Sequence, residues 1–334
     1  LGLVRTELGQ VEEAVSAFDA AAELFDTSTA DGRRGRVATL HNRGMAHAAL
    51  GTDDGLDSAL ADYEEAQGDL DADEAPYHHG LVHHSIGSAL MALAGHRPAE
   101  QARLYEEATH AFGESLTVFT RPSFPYQHAL AKYNLGLALA SLADVAAHAD
   151  GGGGKARVQN LRRALARFED ATAILDTRLH ADAWKQAYAS LARVEEQLSA
   201  EFPGSTRVDH FAALLATTTD EERAALLRER MFRLFALPDT SRDRALTEMA
   251  LAAVKVGRNG GLIMECELEL IMEMRHEHQE PALRARFAAH RQLGDEEERE
   301  AADQALDAAI GAALGAPQRV FVRDFLYSLG WERP

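Results

Sequence analysis

One spacing recurs four times in the chain and constrains its fold more than any other feature. Ala14, Phe18 and Ala21 recur as Ala59, Tyr63 and Ala66, as Ala108, Phe112 and Ser115, and as Ala164, Phe168 and Ala171. The three positions move together, by 45, 49 and 56 residues. A small residue, an aromatic four on and a small residue three further on share one face of an α-helix. The small residues let a neighbouring helix come close, and the ring fills the space between them. A second signature precedes each set: Gly2 with Val4, Gly44 with Ala46, Gly87 with Ala89, and Gly136 with Ala138. Each repeat therefore reads as two helices packed antiparallel, and the chain as an array of such pairs.

At these residues the chain resembles the tetratricopeptide repeat (TPR) family. The match is best in Leu1 to Phe25, where Leu1, Gly2, Gly9, Ala14, Phe18 and Ala21 fall at the family's consensus spacings. The resemblance covers four repeats to about residue 176, with Trp184 to Leu198 as a fifth first helix or a capping helix. It implies an all-α fold, a right-handed superhelix of antiparallel helix pairs over residues 1–202, followed by a C-terminal α-helical domain or cap over 203–334. The family keeps about twelve residues between its Gly and the second-helix Ala. Here Gly2 to Ala14 keeps 12, but the later gaps are 15, 21 and 28. The additions fall at Thr52 to Asp57, Ala94 to Leu104 and Ala143 to Val158. The last contains Gly151 to Gly154, which reads as a flexible loop. No strand precedes it and no GK[ST] follows it, as a phosphate loop requires. Leu1 and Gly2 match the middle of a first helix whose opening turns are absent, so the chain is expected to be truncated at its start.

After Phe202, Pro203 and Gly204 the repeat signature stops. The remaining residues predict helices over Arg207 to Ala216, Asp220 to Leu237, Arg242 to Val256, Leu262 to Gln279, Pro281 to Leu293, Asp295 to Leu314 and Pro317 to Leu329. Thr219 and Ser241 suit N-caps, Pro281 and Pro317 suit first turns, and Gly257, Gly294, Gly315 and Gly330 suit C-terminal stops.

Charge and composition narrow the function classes. The 334 residues carry 53 acidic against 34 basic side chains, a formal charge of −19, which repels a phosphate backbone and argues against direct nucleic-acid binding. The single cysteine, Cys266, allows no intrachain disulfide, which makes a cytoplasmic setting the simplest expectation. No apolar run is long enough to span a membrane, and no signal-peptide pattern opens the chain.

In repeat superhelices the first helices of successive pairs line the concave face, so equivalent positions there form a row facing the bound partner. Three residues before each signature glycine stand His41, His84 and Tyr133, and two before it Asn42, Ser85 and Asn134. Just after it come Met45, Ser88 and Leu137; in the fifth helix Trp184, Lys185 and Tyr188 fall nearby. The TPR resemblance implies that this groove binds a peptide or a segment of a partner protein. The family's clamp for a C-terminal carboxylate uses Lys, Asn and Arg at such positions. Here His41, His84 and Tyr133 replace the cations, so an amphipathic or aromatic-bearing ligand fits better than a chaperone-type carboxylate.

Other chemistries find less support. His78, His79, His83 and His84 crowd together, but only His79 and His83 have the i, i+4 spacing for one metal ion, and no carboxylate completes a site. Two Glu-x-x-His spacings, Glu107 with His110 and Glu273 with His276, would suit a carboxylate-bridged di-iron bundle. The stripe Glu265, Glu269, Glu273 reads instead as a solvated acidic face with Leu268, Ile271 and Met272 turned inward. No nucleophile elbow and no nucleotide fingerprint occur, so no cofactor is expected. The expected function is a non-enzymatic peptide- or protein-binding scaffold. The alternatives are the ligand-sensing part of a larger transcriptional or signalling regulator, and a helical metal-dependent enzyme using residues 262–279.

Overall fold

The computed structural model describes residues 1–69, 75–148 and 154–332. Among the described residues the regular elements are all helical and no strand occurs. No helix there is long and apolar enough to cross a membrane. The chain divides into two compact units, Leu1–Leu198 and Ser199–Pro334.

The first unit begins with α1 (Gly2–Glu7), α2 (Val11–Ala22), α3 (Ala30–Ala48) and α4 (Asp53–Gly68). It continues with α5 (Pro76–His96), α6 (Gln101–Val118), α7 (Pro125–His148) and α8 (Gly154–Ile174), and with most of α9 (Ala181–Glu201). From α1 to α8 each helix packs on the one that follows it, and the alternate helices α1, α3, α5 and α7 also touch in succession. Local chemistry sets the ends. Thr29 and Thr52 accept from the amides of Gly32 and Gly55 at 3.0 and 3.2 Å, capping α3 and α4. Gly9 and Gly51 adopt positive φ, 71° and 63°, where the chain turns out of a helix.

The repeat spacing explains how the pairs close. Ala14, Ala59, Ala108 and Ala164 are all fully buried, and the rings of Phe18, Tyr63, Phe112 and Phe168 lie within their helix pairs. Each ring rests on the signature glycine of the partner helix: Phe18 on Gly2, Tyr63 on Gly44, Phe112 on Gly87 and Phe168 on Gly136. A Cβ at any of these glycines would fall within 3.0 Å of a ring carbon. Helix α9 closes the unit, with Ala187 buried in one cluster with Ala129, Ala171 and Leu175, and with Tyr133 and Trp184 packed against it.

The lengthened segments take different forms. Thr52 to Asp57 is the capped first turn of α4, and Ala94 to Leu104 holds the end of α5, a 3-10 turn at Pro98–Glu100 and the start of α6. Of the glycine run, Gly154 opens α8; Gly151 to Gly153 lie outside the described residues.

The second unit contains α10 (Arg207–Leu215), α11 (Asp220–Leu234), α12 (Asp239–Lys255), α13 (Gly260–Glu273), α14 (His276–Arg291), α15 (Glu296–Ala313) and α16 (Ala316–Ser328). Thr206 and Asp209 form a reciprocal capping box on α10, and Thr219 caps α11. Gly257 and Gly330 adopt positive φ, 79° and 86°, as expected of stops.

Several boundaries depart from the sequence reading. Ser241 lies inside α12, whose N-cap position is Pro238. Gly315 precedes α16 as its N-cap residue instead of ending α15; its amide donates to the Gln318 side chain at 3.0 Å. The helix expected over Leu262 to Gln279 breaks after Glu273, where Met274 is extended (ψ 165°). Pro281 consequently lies inside α14, which starts at His276, and not at a first turn. The Gln279 side chain donates to the carbonyls of Met272 and Met274, at 3.3 and 3.0 Å, and holds the break together.

Candidate functional site

The residues singled out on the alternate helices of the first unit lie on α3, α5 and α7, with Trp184 and Lys185 on α9. Because α3, α5 and α7 touch in order, the position three before one signature glycine meets the position two before the next. His41 Nε2 is 2.9 Å from Ser85 Oγ, and Asn134 Nδ2 donates to His84 Nε2 at 2.9 Å. The same pairing rule thus operates twice, one step apart, and ties each pair to its neighbour. Since an amide nitrogen only donates, the His84 ring accepts at Nε2 and carries its proton on Nδ1. The Asn42 side chain also bonds His41, and the Tyr63 hydroxyl bonds Ser85. Ser85 therefore serves both His41 and Tyr63.

Burial sets the electrostatics of this ladder. Desolvation is the largest influence on both imidazoles and pushes His41 and His84 down to about 4. Neighbouring His78 and His84 add to the effect on His41. Burial also pushes the Tyr63 phenol up to about 12. At neutral pH the ladder is an uncharged hydrogen-bonded row.

The positions differ in what they offer a partner. His41 is only 4% exposed, its ring tilted against Tyr63 at 5.6 Å between ring centres, so it is spent within the protein. Asn42, His84, Ser85, Tyr133, Asn134 and Trp184 are half-buried; Ser88 and Lys185 are exposed. His84 lies edge-on to Phe112 at 5.4 Å, and Tyr133 beside Phe168 at 5.9 Å. The row continues onto α9 through packing: Tyr133 and Trp184 flank the same apolar cluster, and Trp184 stacks on Tyr188 at 5.0 Å with the rings 12° from parallel. Ser88 donates to the His84 carbonyl at 3.0 Å within its own helix, and Lys185 approaches Asp182 at 3.6 Å. Met45, 48% exposed, and Tyr188, 46% exposed, add apolar surface on α3 and α9.

Polar groups absent from the sequence reading also bind the unit together. Arg43, between Asn42 and Gly44, reaches Asp19 on α2 at 2.6 Å and both Asp62 and Glu65 on α4. His47 shares Asp62 at 2.6 Å. Lys132 and Asp170, both buried, pair at 3.1 Å between α7 and α8. The signal for these lies in the same register, since Arg43 and Lys132 sit within four residues of a signature glycine.

The metal-ligand spacings resolve differently. Among the described residues no group of three His, Cys, Asp or Glu side chains gathers so as to hold a metal ion. The His79 and His83 rings lie tilted to each other by 50° at 4.5 Å between ring centres, and the Gln67 amide approaches His83 Nε2 at 3.2 Å. Glu273 ends α13 and His276 opens α14, so that spacing does not aim two side chains from one helical face; Glu273 pairs with Arg228 at 3.3 Å. Cys266 is buried, and burial raises its thiol pKa.

The second unit holds a buried charged set that the sequence reading missed. Arg286, 2% exposed, pairs with buried Glu267 and donates to the Ala250 carbonyl at 3.1 Å. Burial pushes its guanidinium down to about 9. His290, 1% exposed on the next turn of α14, meets Asp303 of α15 at 2.8 Å. The signal was present: Glu267 lies midway between Ile263 and Ile271 on a stripe that is otherwise apolar.

No protein-family model matches the chain. No curated protein matches its sequence.

Proposed function

We propose that residues 1–198 form a TPR-like superhelix and act as a non-enzymatic binding module for a peptide or a segment of a partner protein. The observation that carries this reading is the repeated register itself. Successive helix pairs bond through His41 with Ser85 and His84 with Asn134, which fixes the spacing of a row of side chains along α3, α5 and α7. A row of constant spacing built on helices suits an extended ligand better than a single small substrate. In this reading the bonds of His41 with Ser85 and of His84 with Asn134 set the geometry, and the side chains and atoms left accessible along the row meet the ligand. Asn42 and Asn134 supply backbone hydrogen bonds. Met45, Tyr133, Trp184 and Tyr188 supply apolar and aromatic contacts, with Ser88 and Lys185 at the edge. The absence of paired cations along the row favours an amphipathic or aromatic-bearing segment over a C-terminal carboxylate. One buried cysteine is consistent with a reducing compartment, and we place the module in the cytoplasm.

The test is to pan a random peptide library on the full chain and map the selected peptides by photo-crosslinking from Met45, Ser88 and, as a reference, Ala61 on α4. Crosslinks from Met45 and Ser88 but not Ala61, lost in the His84→Ala/Tyr133→Ala variant at unchanged helicity, are expected. Selected peptides that crosslink from Ala61, or that bind the variant equally, would overturn the assignment.

A further inference from the structure

A cleft of about 720 Å³ lies on the opposite side of α5 from the ladder. At 100° per residue, His84, Ser88 and Met91 point one way along α5, while Ile86, Leu90 and Leu93 point the other. The cleft takes its floor from α5 and its walls from α4 and α6. Leu90, Leu93 and Leu104 form the buried apolar base, with Leu60 and Ile86 half-exposed above them. The volume falls in the range of pockets that enclose a small organic ligand, about 300–1,000 Å³.

The charges around this base are unbalanced. Two arginines line the cleft, and each is already held by two carboxylates. Arg97 pairs with Asp57 at 2.5 Å and Asp53 at 3.3 Å; Arg103 pairs with Glu107 at 2.7 Å and also with Glu100. Glu64 on the α4 wall and Glu106 on the α6 wall are exposed and have no ion-pair partner among the described residues. Both histidines of the lining, His83 and His110, are uncharged or cationic and supply no further anion. The cleft therefore presents an apolar base beneath two uncompensated carboxylates, on a chain whose formal charge is already −19. Such a surface attracts cations by its long-range field and retains those that also bury hydrocarbon.

We propose that this cleft binds an amphipathic organic cation, with its hydrocarbon body on Leu90, Leu93 and Leu104 and its ammonium or guanidinium group between Glu64 and Glu106. The site is separate from the ladder, and occupancy of one does not require the other.

The probe is decyltrimethylammonium, titrated calorimetrically into the full chain below its micelle-forming concentration, with decyl sulfate and decyl maltoside as matched anionic and neutral chains. Saturable one-to-one binding of the cation is expected, about tenfold or more tighter than either control and weakened by added salt. Glu64→Gln/Glu106→Gln, both at exposed positions and checked for unchanged helicity and melting, should weaken cation binding about tenfold and narrow the gap to decyl maltoside. Ile86→Trp, which narrows the cleft while leaving both carboxylates, should weaken it as well, and Tyr133→Ala should leave it unchanged. Equal binding of decyl sulfate, no binding of the cation, or an unchanged affinity in the double glutamine variant would each overturn the proposal.

Discussion

His41 and His84 show how a polar side chain inside a helical array becomes a pH-dependent element of stability. Each ring has an ordinary value of 6.5 that burial lowers to about 4. The unfolded chain binds these protons at a pH where the folded chain refuses them. Their stabilising contribution is complete above 6.5 and is lost progressively as pH falls from 6.5 to 4. The span corresponds to roughly 3 kcal/mol per ring at most, and the two are coupled, so the sum is smaller. Thermal melts of the full chain should be flat above about pH 7 and fall through the pH 6 to 5 window, before most carboxylates protonate. His41→Gln/His84→Gln should flatten that decline; an unchanged slope would place the effect on other groups, such as His290, also lowered by burial. Glu267 and Arg286 pose the complementary case of a buried charged pair. Glu267→Leu leaves the guanidinium unpaired in the core and should cost about 3–5 kcal/mol, while Glu267→Leu/Arg286→Met should recover most of it. A denaturant midpoint for Glu267→Leu close to wild type would mean that water reaches Arg286. Both residues escaped the sequence reading because binary patterning assigns charges to the outside; the apolar stripe around Glu267 marks the exception, but its meaning emerges only when the neighbouring helix is seen to carry Arg286.

The helix pair was the most legible element. A glycine and a ring that meet across a pair are separated by a gap that varies between repeats, yet each lies in a fixed local pattern, and local patterns survive insertion. The insertions change helix length at Thr52 and Ala94 without disturbing the Gly44 to Tyr63 or Gly87 to Phe112 contacts. The break between α13 and α14 was illegible for the opposite reason. Neither Met274 nor Arg275 is a helix breaker, and the turn is held by a side-chain bond back from Gln279, five and seven residues on, which no turn-residue pattern announces. Pro281 was then misplaced, since proline marks a first turn only when the helix starts there. The ladder was legible as a row of residues but not as a set of bonds, because the one-position offset between partners follows from how the pairs stack. The close approach at Gly87 makes a quantitative test. Phe112→Ala should cost about 3–5 kcal/mol through the cavity it leaves, and Gly87→Ala about 1–3 kcal/mol by overpacking the ring, partly offset by helix propensity. In the double variant the new methyl enters the vacated space, so the two costs should fall short of additivity by about 1 kcal/mol or more in chemical denaturation. Strict additivity would mean that the two residues do not touch.

At the scale of the whole chain, Leu1–Leu198 and Ser199–Pro334 each enclose their own fully buried side chains. Phe112, Phe168 and Leu161 belong to the first, and Leu214, Leu306 and Ile310 to the second. Both units far exceed the ~40 residues below which a core usually needs covalent or metal support, and the lone cysteine offers neither unit an intrachain disulfide. Self-sufficient cores imply self-sufficient folding, provided the cut respects the elements. Helix α9 runs past the division to Glu201, and Leu198, fully buried, lies in its last turns. A cut at Leu198 would fray that helix, whereas the chain leaves it before Gly204, whose φ of 85° marks the turn. Residues 1–202 and 204–334, expressed separately, should each show the helicity of their part of the chain and a cooperative thermal transition. Residues 1–198 should melt lower than 1–202, because they lack the final turn of α9. A broad, non-cooperative melt of either longer piece would show that its core is completed by the other unit. Cooperative melting of 1–202 would also permit the peptide and decyltrimethylammonium titrations to be repeated without the C-terminal helices, testing whether both proposed sites lie wholly within the first unit.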